Sequence, residues 1–111
     1  MGLKVSKNGG LTPCRRQRDM CIAAGYSLSM QDTVGSDITF AAIAHFGQAI
    51  PTHLLRCILD TRDMVTLTTA DATHKGGFDR RDGWVTAPSS PGLGIDPRID
   101  VLGEPVMSFS L

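Results

Sequence analysis

The chain carries no excess of either charge. Eleven Lys and Arg balance eleven Asp and Glu over 111 residues, so no net field draws it toward nucleic acid, an anionic membrane or an acidic partner. Cysteine is sparse: Cys14, Cys21 and Cys57 are odd in number and lack CxxC spacing. That suggests neither a disulfide framework nor a zinc site, and leaves buried free thiols as the expectation. No apolar run approaches the ~20 residues that span a bilayer, and the opening MGLKVSKNGG lacks the apolar stretch of a signal peptide; the expected compartment is the cytoplasm. What remains is a globular composition, 41% apolar and without a charge-rich block, of a size suited to one compact unit.

Read along the chain, short strand patterns alternate with helical ones. Leu3-Lys4-Val5-Ser6 reads as a strand that ends at the Asn8-Gly9-Gly10 turn. A helix is expected to follow, with Thr12 as N-cap, Pro13 at the first helical position and Gly25 closing the far end. Residues 26–30 suggest a second strand, and Ser36 caps a second helix over 38–49. That helix is apolar nearly all round, so it needs neighbours on several sides. Pro51 breaks it, and residues 54–59 form a third strand candidate. The order β-α-β-α-β implies an α/β fold with a parallel sheet and right-handed crossovers. Beyond residue 63 the grammar changes: 64–69 read as extended, 71–83 as a loop or hairpin turn containing Asp82-Gly83, 84–86 as a short strand, and 88–94 as an irregular connector.

Three parallel strands with both crossover helices on one face leave two unpaired edges and one bare face. With an apolar sheet face also expected to be uncovered, more contiguous surface would be exposed than a soluble monomer usually tolerates. Further chain, or a partner chain, is therefore expected to complete the unit, and Met1 is expected to be an internal methionine rather than a natural start.

The stretch Gly2-Leu3-Lys4-Val5-Ser6-Lys7-Asn8-Gly9-Gly10-Leu11-Thr12 resembles the sixth barrel strand and following turn of the mandelate racemase and muconate lactonizing group of the enolase superfamily. Gln31-Asp32-Thr33-Val34-Gly35-Ser36-Asp37 is similar to the end of the seventh strand with its loop, residues 54–59 to the eighth strand, and Pro91-Gly92-Leu93-Gly94-Ile95 to the family's C-terminal signature. The pieces stand in family order. The resemblance implies the C-terminal portion of a modified TIM barrel, enolase C-terminal domain-like, with residues 1–63 as its last three strands and two helices. Residues 64–111 would be a tail returning toward a capping domain that is missing here. It also implies a Mg²⁺ held by carboxylates on upstream strands, none of them on this chain, and a reaction that removes a proton next to a carboxylate group.

Within that resemblance Lys4 falls where the lysine-using branch places a catalytic base or acid. A free lysine titrates near ~10.4, and only burial or a neighbouring cation brings it toward neutrality, as a strand end facing a metal-filled barrel would. Gln31 falls where mandelate racemase carries a histidine base. A glutamine cannot move protons, which points instead to a pair of lysines on opposite faces, one upstream and Lys4 here, suited to a racemase, epimerase or dehydratase. Gln31 and Asp32 are candidates to bind substrate or to orient Lys4, with a loop role open for Asp32. Cys57 is expected in the core. His45 and His53 are read as structural and His74 as exposed, while Arg56, Asp60, Arg62 and Asp63 could meet a substrate carboxylate but fit a surface ion-pair cluster better. The parent enzyme would be a homo-oligomer acting on a small carboxylate, independent of nucleic acid and membrane, and the 111 residues alone would be inactive. The competing reading is a non-catalytic remnant or small interaction module that binds protein through its sheet edges.

Overall fold

The computed structural model describes all residues except 34, 65, 66, 73–80 and 111. Its centre is a three-stranded parallel sheet in the order β1-β2-β3, formed by β1 (Gly2–Lys4), β2 (Leu28–Gln31) and β3 (Leu55–Ile58). The first crossover is α1 (Leu11–Ala23) and the second is α2 (Asp37–Gln48). The α/β reading with a parallel sheet holds, and its elements fall within a few residues of the sequence pattern.

Side-chain alternation sorts the sheet into two unlike faces. Leu3, Leu28 and Met30 are fully buried beneath the helices with Cys14, Phe40 and Ile43. Burying aliphatic side chains of this size contributes roughly 1.5–3 kcal/mol each, which makes this layer the main source of stability. Between them, Gly2, Lys4, Ser29 and Gln31 point to the other face. A bulge in β3 at Arg56, opposite the step from Leu28 to Ser29, brings Cys57 level with Ser29 and Ile58 level with Met30. The uncovered face is therefore small and polar rather than apolar, contrary to expectation, and Cys57 is exposed upon it rather than buried.

The start of α1 also differs from the sequence reading. The helix begins at Leu11 with Gly10 as N-cap, two residues before the expected start, because Gly10 (φ 114) can take a backbone angle that Thr12 would resist. Its end matches: Gly25 is left-handed (φ 76), Tyr26 N–H donates to the Cys21 carbonyl at 2.9 Å, and Gly25 N–H donates to that of Ile22 at 3.0 Å. These two bonds form a Schellman cap. Helix α2 starts after Ser36, as expected, although its side chain makes no cap bond. The buried residues of α2, Phe40, Ala41, Ile43, Ala44, Phe46 and Gly47, take up more than half of its circumference but leave Ala42 and His45 partly open, and Gly47 lets the helix lie against β3, since a Cβ there would overlap the Ile58 side chain.

The C-terminal part docks on α2. A 3₁₀ turn at Arg62–Met64 replaces the start of the extended segment expected over 64–69. Extended structure appears in β4 (Ala70–Ala72), which pairs antiparallel with β5 (Ile95–Pro97), followed by the short α3 (Ile99–Leu102). Of the stretch 71–83 read as a loop or hairpin turn, 71 and 72 belong to β4 and 73–80, with Gly76-Gly77, lie outside the described residues, while Asp82 (φ 50) and Gly83 (φ 78) form a two-residue turn closed by reciprocal bonds between Arg81 and Trp84. Residues 84–86 form no strand beyond that bridge. Three polar residues on α2 hold the segment: the Asp37 carboxylate accepts from Thr69 N–H at 2.8 Å, His45 Nε2 lies 3.1 Å from the Leu93 carbonyl, and Gln48 Oε1 accepts from Ala87 N–H at 2.7 Å. No helix among the described residues is long and apolar enough to cross a membrane.

Candidate active site

The three parallel strands end on one rim, the carboxyl-end edge where parallel α/β sheets bind ligands. β1 ends at Lys4 and β2 at Gln31, and the two are Cα partners in register. Both are half-buried on the open face. A Cβ on Gly2 would overlap Gln31 Nε2, which places the Gln31 amide beside the Gly2 backbone on that same face.

Just beyond this pair the two strand-end loops are tied together. Ser6 Oγ donates to Asp32 Oδ1 at 2.5 Å, and Asp32 is only 7% exposed. The turn after Lys4 folds back on it: the Asn8 backbone N–H and side-chain Nδ2 both donate to the Lys4 carbonyl, at 3.1 and 2.8 Å. The sequence offered the turn signal of Asn8-Gly9-Gly10, but nothing in it marked Ser6 as the partner of Asp32.

At the end of β3, Arg62 grips Asp60 with Nε 2.9 Å from Oδ1 and Nη2 2.7 Å from Oδ2. Its guanidinium lies 4.1 Å from the centre of the Phe40 ring. Asp60 and Arg62 thus form an ion pair, but with side chains only 10% and 18% exposed it is a largely buried pair and not the surface cluster expected. Arg56 and His53 are exposed, and His74 lies outside the described residues. Of the thiols, Cys14 is buried, and desolvation pushes it above the usual range against a smaller opposing effect of Arg18.

A resident divalent ion does not fit the described residues. Among them no three His, Cys, Asp or Glu side chains gather closely enough to hold one. The carboxylates nearest the rim, Asp32 and Asp60, have protein partners, as does Asp37 at the start of α2.

Residues 1–101 match the family described as enolase C-terminal domain-like. The chain is 42% identical over 110 residues to a cis-3-hydroxy-L-proline dehydratase of Roseibium aggregatum, a match covering 99% of this chain and 29% of the dehydratase. A solved structure from Aspergillus oryzae, assigned as a mandelate racemase/muconate lactonizing enzyme, is 64% identical with a TM-score of 0.88, covering 97% of this chain and 29% of that one. Another with the same assignment, from Roseovarius nubinhibens and complexed with magnesium, is 54% identical with a TM-score of 0.89, covering 98% and 29%. The chain thus spans under a third of the length of these relatives.

Proposed function

This chain belongs to the enolase C-terminal domain-like family, and we propose that it supplies one side of a dehydratase site that moves a proton next to a substrate carboxylate. The observation that carries the reading is the placement of Lys4 on the open face at the carboxyl end of β1, in register with Gln31. A lysine there can meet a ligand, whereas one under the helices could not. The 42% identity to a named dehydratase favours elimination over racemisation within the wider reaction class.

Dehydration breaks the Cα–H bond, turns its electron pair into a Cα–Cβ double bond, and releases the β-hydroxyl as water after it gains a proton. In a cis-3-hydroxyproline ring the hydroxyl shares a face with the carboxylate, so the Cα hydrogen lies on the opposite face. Two proton-transfer groups on opposite sides of the substrate are then required. Lys4 is one of them, and the other comes from chain outside these residues. Gln31, which cannot transfer protons, donates its amide N–H to a substrate oxygen and fixes the ring against Lys4.

Magnesium accompanies a relative of this chain, and ligands for such an ion would also lie outside the described residues. In the same reading, residues 1–63 are the closing strands and helices of a barrel, and 64–111 lead back toward a capping domain. By itself the chain lacks the second proton-transfer group and is inactive; the complete, cytoplasmic, homo-oligomeric enzyme acts on a small hydroxy carboxylate. The test is a chimaera in which this chain replaces its matching segment in the Roseibium aggregatum dehydratase. Dehydration of cis-3-hydroxy-L-proline that disappears on Lys4→Met supports the reading, and activity indifferent to Lys4→Met overturns it.

A further inference from the structure

We propose that Asp32 is a positioning residue that acts on Lys4 through Ser6, a role that rests on the proton transfer assigned to Lys4 above. Asp32 immediately follows Gln31, and Ser6 lies two residues past Lys4, so their bond spans the same pair of strands that carries the reactive lysine. The carboxylate is 7% exposed, with Oδ1 accepting the Ser6 hydroxyl. Its other oxygen packs against the backbone of Gly35, where a Cβ would overlap both Asp32 Oδ2 and the Thr39 side chain. A group so enclosed is badly placed to meet a substrate and well placed to hold a loop.

That loop is short and internally braced. Asn8 doubly bonds the Lys4 carbonyl, and Gly10 N–H donates to the Val5 carbonyl at 3.0 Å. Val5 is itself in the core. Within residues 4–10 the Ser6–Asp32 bond is a side-chain tether that reaches across to the chain just after β2, and without it the turn can pivot about the core-bound Val5. Because Asn8 holds the Lys4 carbonyl from that turn, the end of β1 would shift with it and the Lys4 ammonium would lose its fixed position relative to the Gln31-bound substrate. A misplacement near 1 Å can cost about 100-fold in rate while leaving binding nearly intact.

The experiment compares Ser6→Ala, Ser6→Thr, Asp32→Ala, Asp32→Asn and Lys4→Met in the dehydratase chimaera. Ser6→Ala and Asp32→Ala are each expected to lower kcat by about 10- to 100-fold with KM within about twofold of the parent. The double alanine variant should fall no further than either single one, because both remove the same bond. Ser6→Thr and Asp32→Asn, which keep a hydroxyl donor and an acceptor oxygen, should restore most of kcat. Unchanged kcat in Ser6→Ala overturns the inference, as does a raised KM in Asp32→Ala that Ser6→Ala does not share, the signature of direct substrate contact. Lys4→Met separates the two levels. Full activity there overturns the proton-transfer reading and this inference with it; an inactive Lys4→Met beside a fully active Ser6→Ala overturns the positioning role alone.

Discussion

Lys4 and Gln31 are partners across the parallel pair β1 and β2, and the Gln31 amide nitrogen lies over the Cα of Gly2. The glycine is therefore part of how the amide is held. Gln31→Ala in the dehydratase chimaera should raise KM by about 3- to 10-fold, the scale of one lost hydrogen bond, and lower kcat with it, because the ring is no longer fixed against Lys4. Gly2→Ala should reproduce part of that rise by pushing the amide aside. Steady-state kinetics on both variants checks this.

Gly47 and Ile58 set how closely α2 approaches the sheet. A Cβ on Gly47 would overlap Cδ1 and Cγ1 of Ile58. Overpacking at such a contact costs roughly 1–3 kcal/mol, so Gly47→Ala should lower the urea midpoint of the chimaera despite the better helix propensity of alanine. Adding Ile58→Val, which removes Cδ1, should recover part of the loss. Parallel denaturation curves decide the point.

The Asp37 carboxylate receives both the backbone N–H and the hydroxyl of Thr69, at 2.8 and 3.2 Å. Asp37→Ala removes both bonds and the negative charge in the first turn of α2, for an expected loss of about 1.5–3 kcal/mol. Hydrogen exchange should show the Thr69 amide losing protection first, with the β4–β5 pair loosening before the parallel sheet.

The three thiols should separate by reactivity. In the 111-residue chain Cys57 is exposed while Cys14 and Cys21 are buried. One equivalent of a thiol reagent should react quickly and the other two only after denaturation. Burial raises the folded Cys14 above its ordinary value of 9.0. The folded state thus keeps this proton longer than the unfolded one, so the thiol's contribution is intact below that pH and is lost as pH climbs toward the raised value. Urea midpoints measured from pH 7 to 10 should fall at the alkaline end, and Cys14→Ser should flatten that fall.

Much of this was legible in the residues. Apolar runs of strand length, the Pro51 break and Gly25 gave the β-α-β-α-β order, and the resemblance placed Lys4 at a strand end. The start of α1 is not legible because Thr12 and Pro13 carry the usual capping signal while Gly10 satisfies the backbone angle. β4 and β5 span three residues each, too few for alternation to register, and the returning chain beside them is held to α2 by Asp37, His45 and Gln48 through Thr69, Leu93 and Ala87. The outward position of Cys57 was hidden by a bulge in β3, which breaks the alternation that would have sent it to the core. The Ser6–Asp32 bond joins residues 26 apart in sequence, and no local pattern announces such a pair.

The proton assigned to Lys4 is tested most directly by turnover of cis-3-hydroxy-L-proline in D₂O by the chimaera and its Lys4→Met variant, with elimination and Cα–H exchange followed together by NMR. The account predicts that Lys4→Met lowers the elimination rate by about 10²- to 10⁴-fold, the usual weight of a general acid or base, with substrate affinity retained. Loss of Cα exchange alongside it would mark Lys4 as the base, and retained exchange would mark it as the acid. Elimination within a few-fold of the parent would contradict the account.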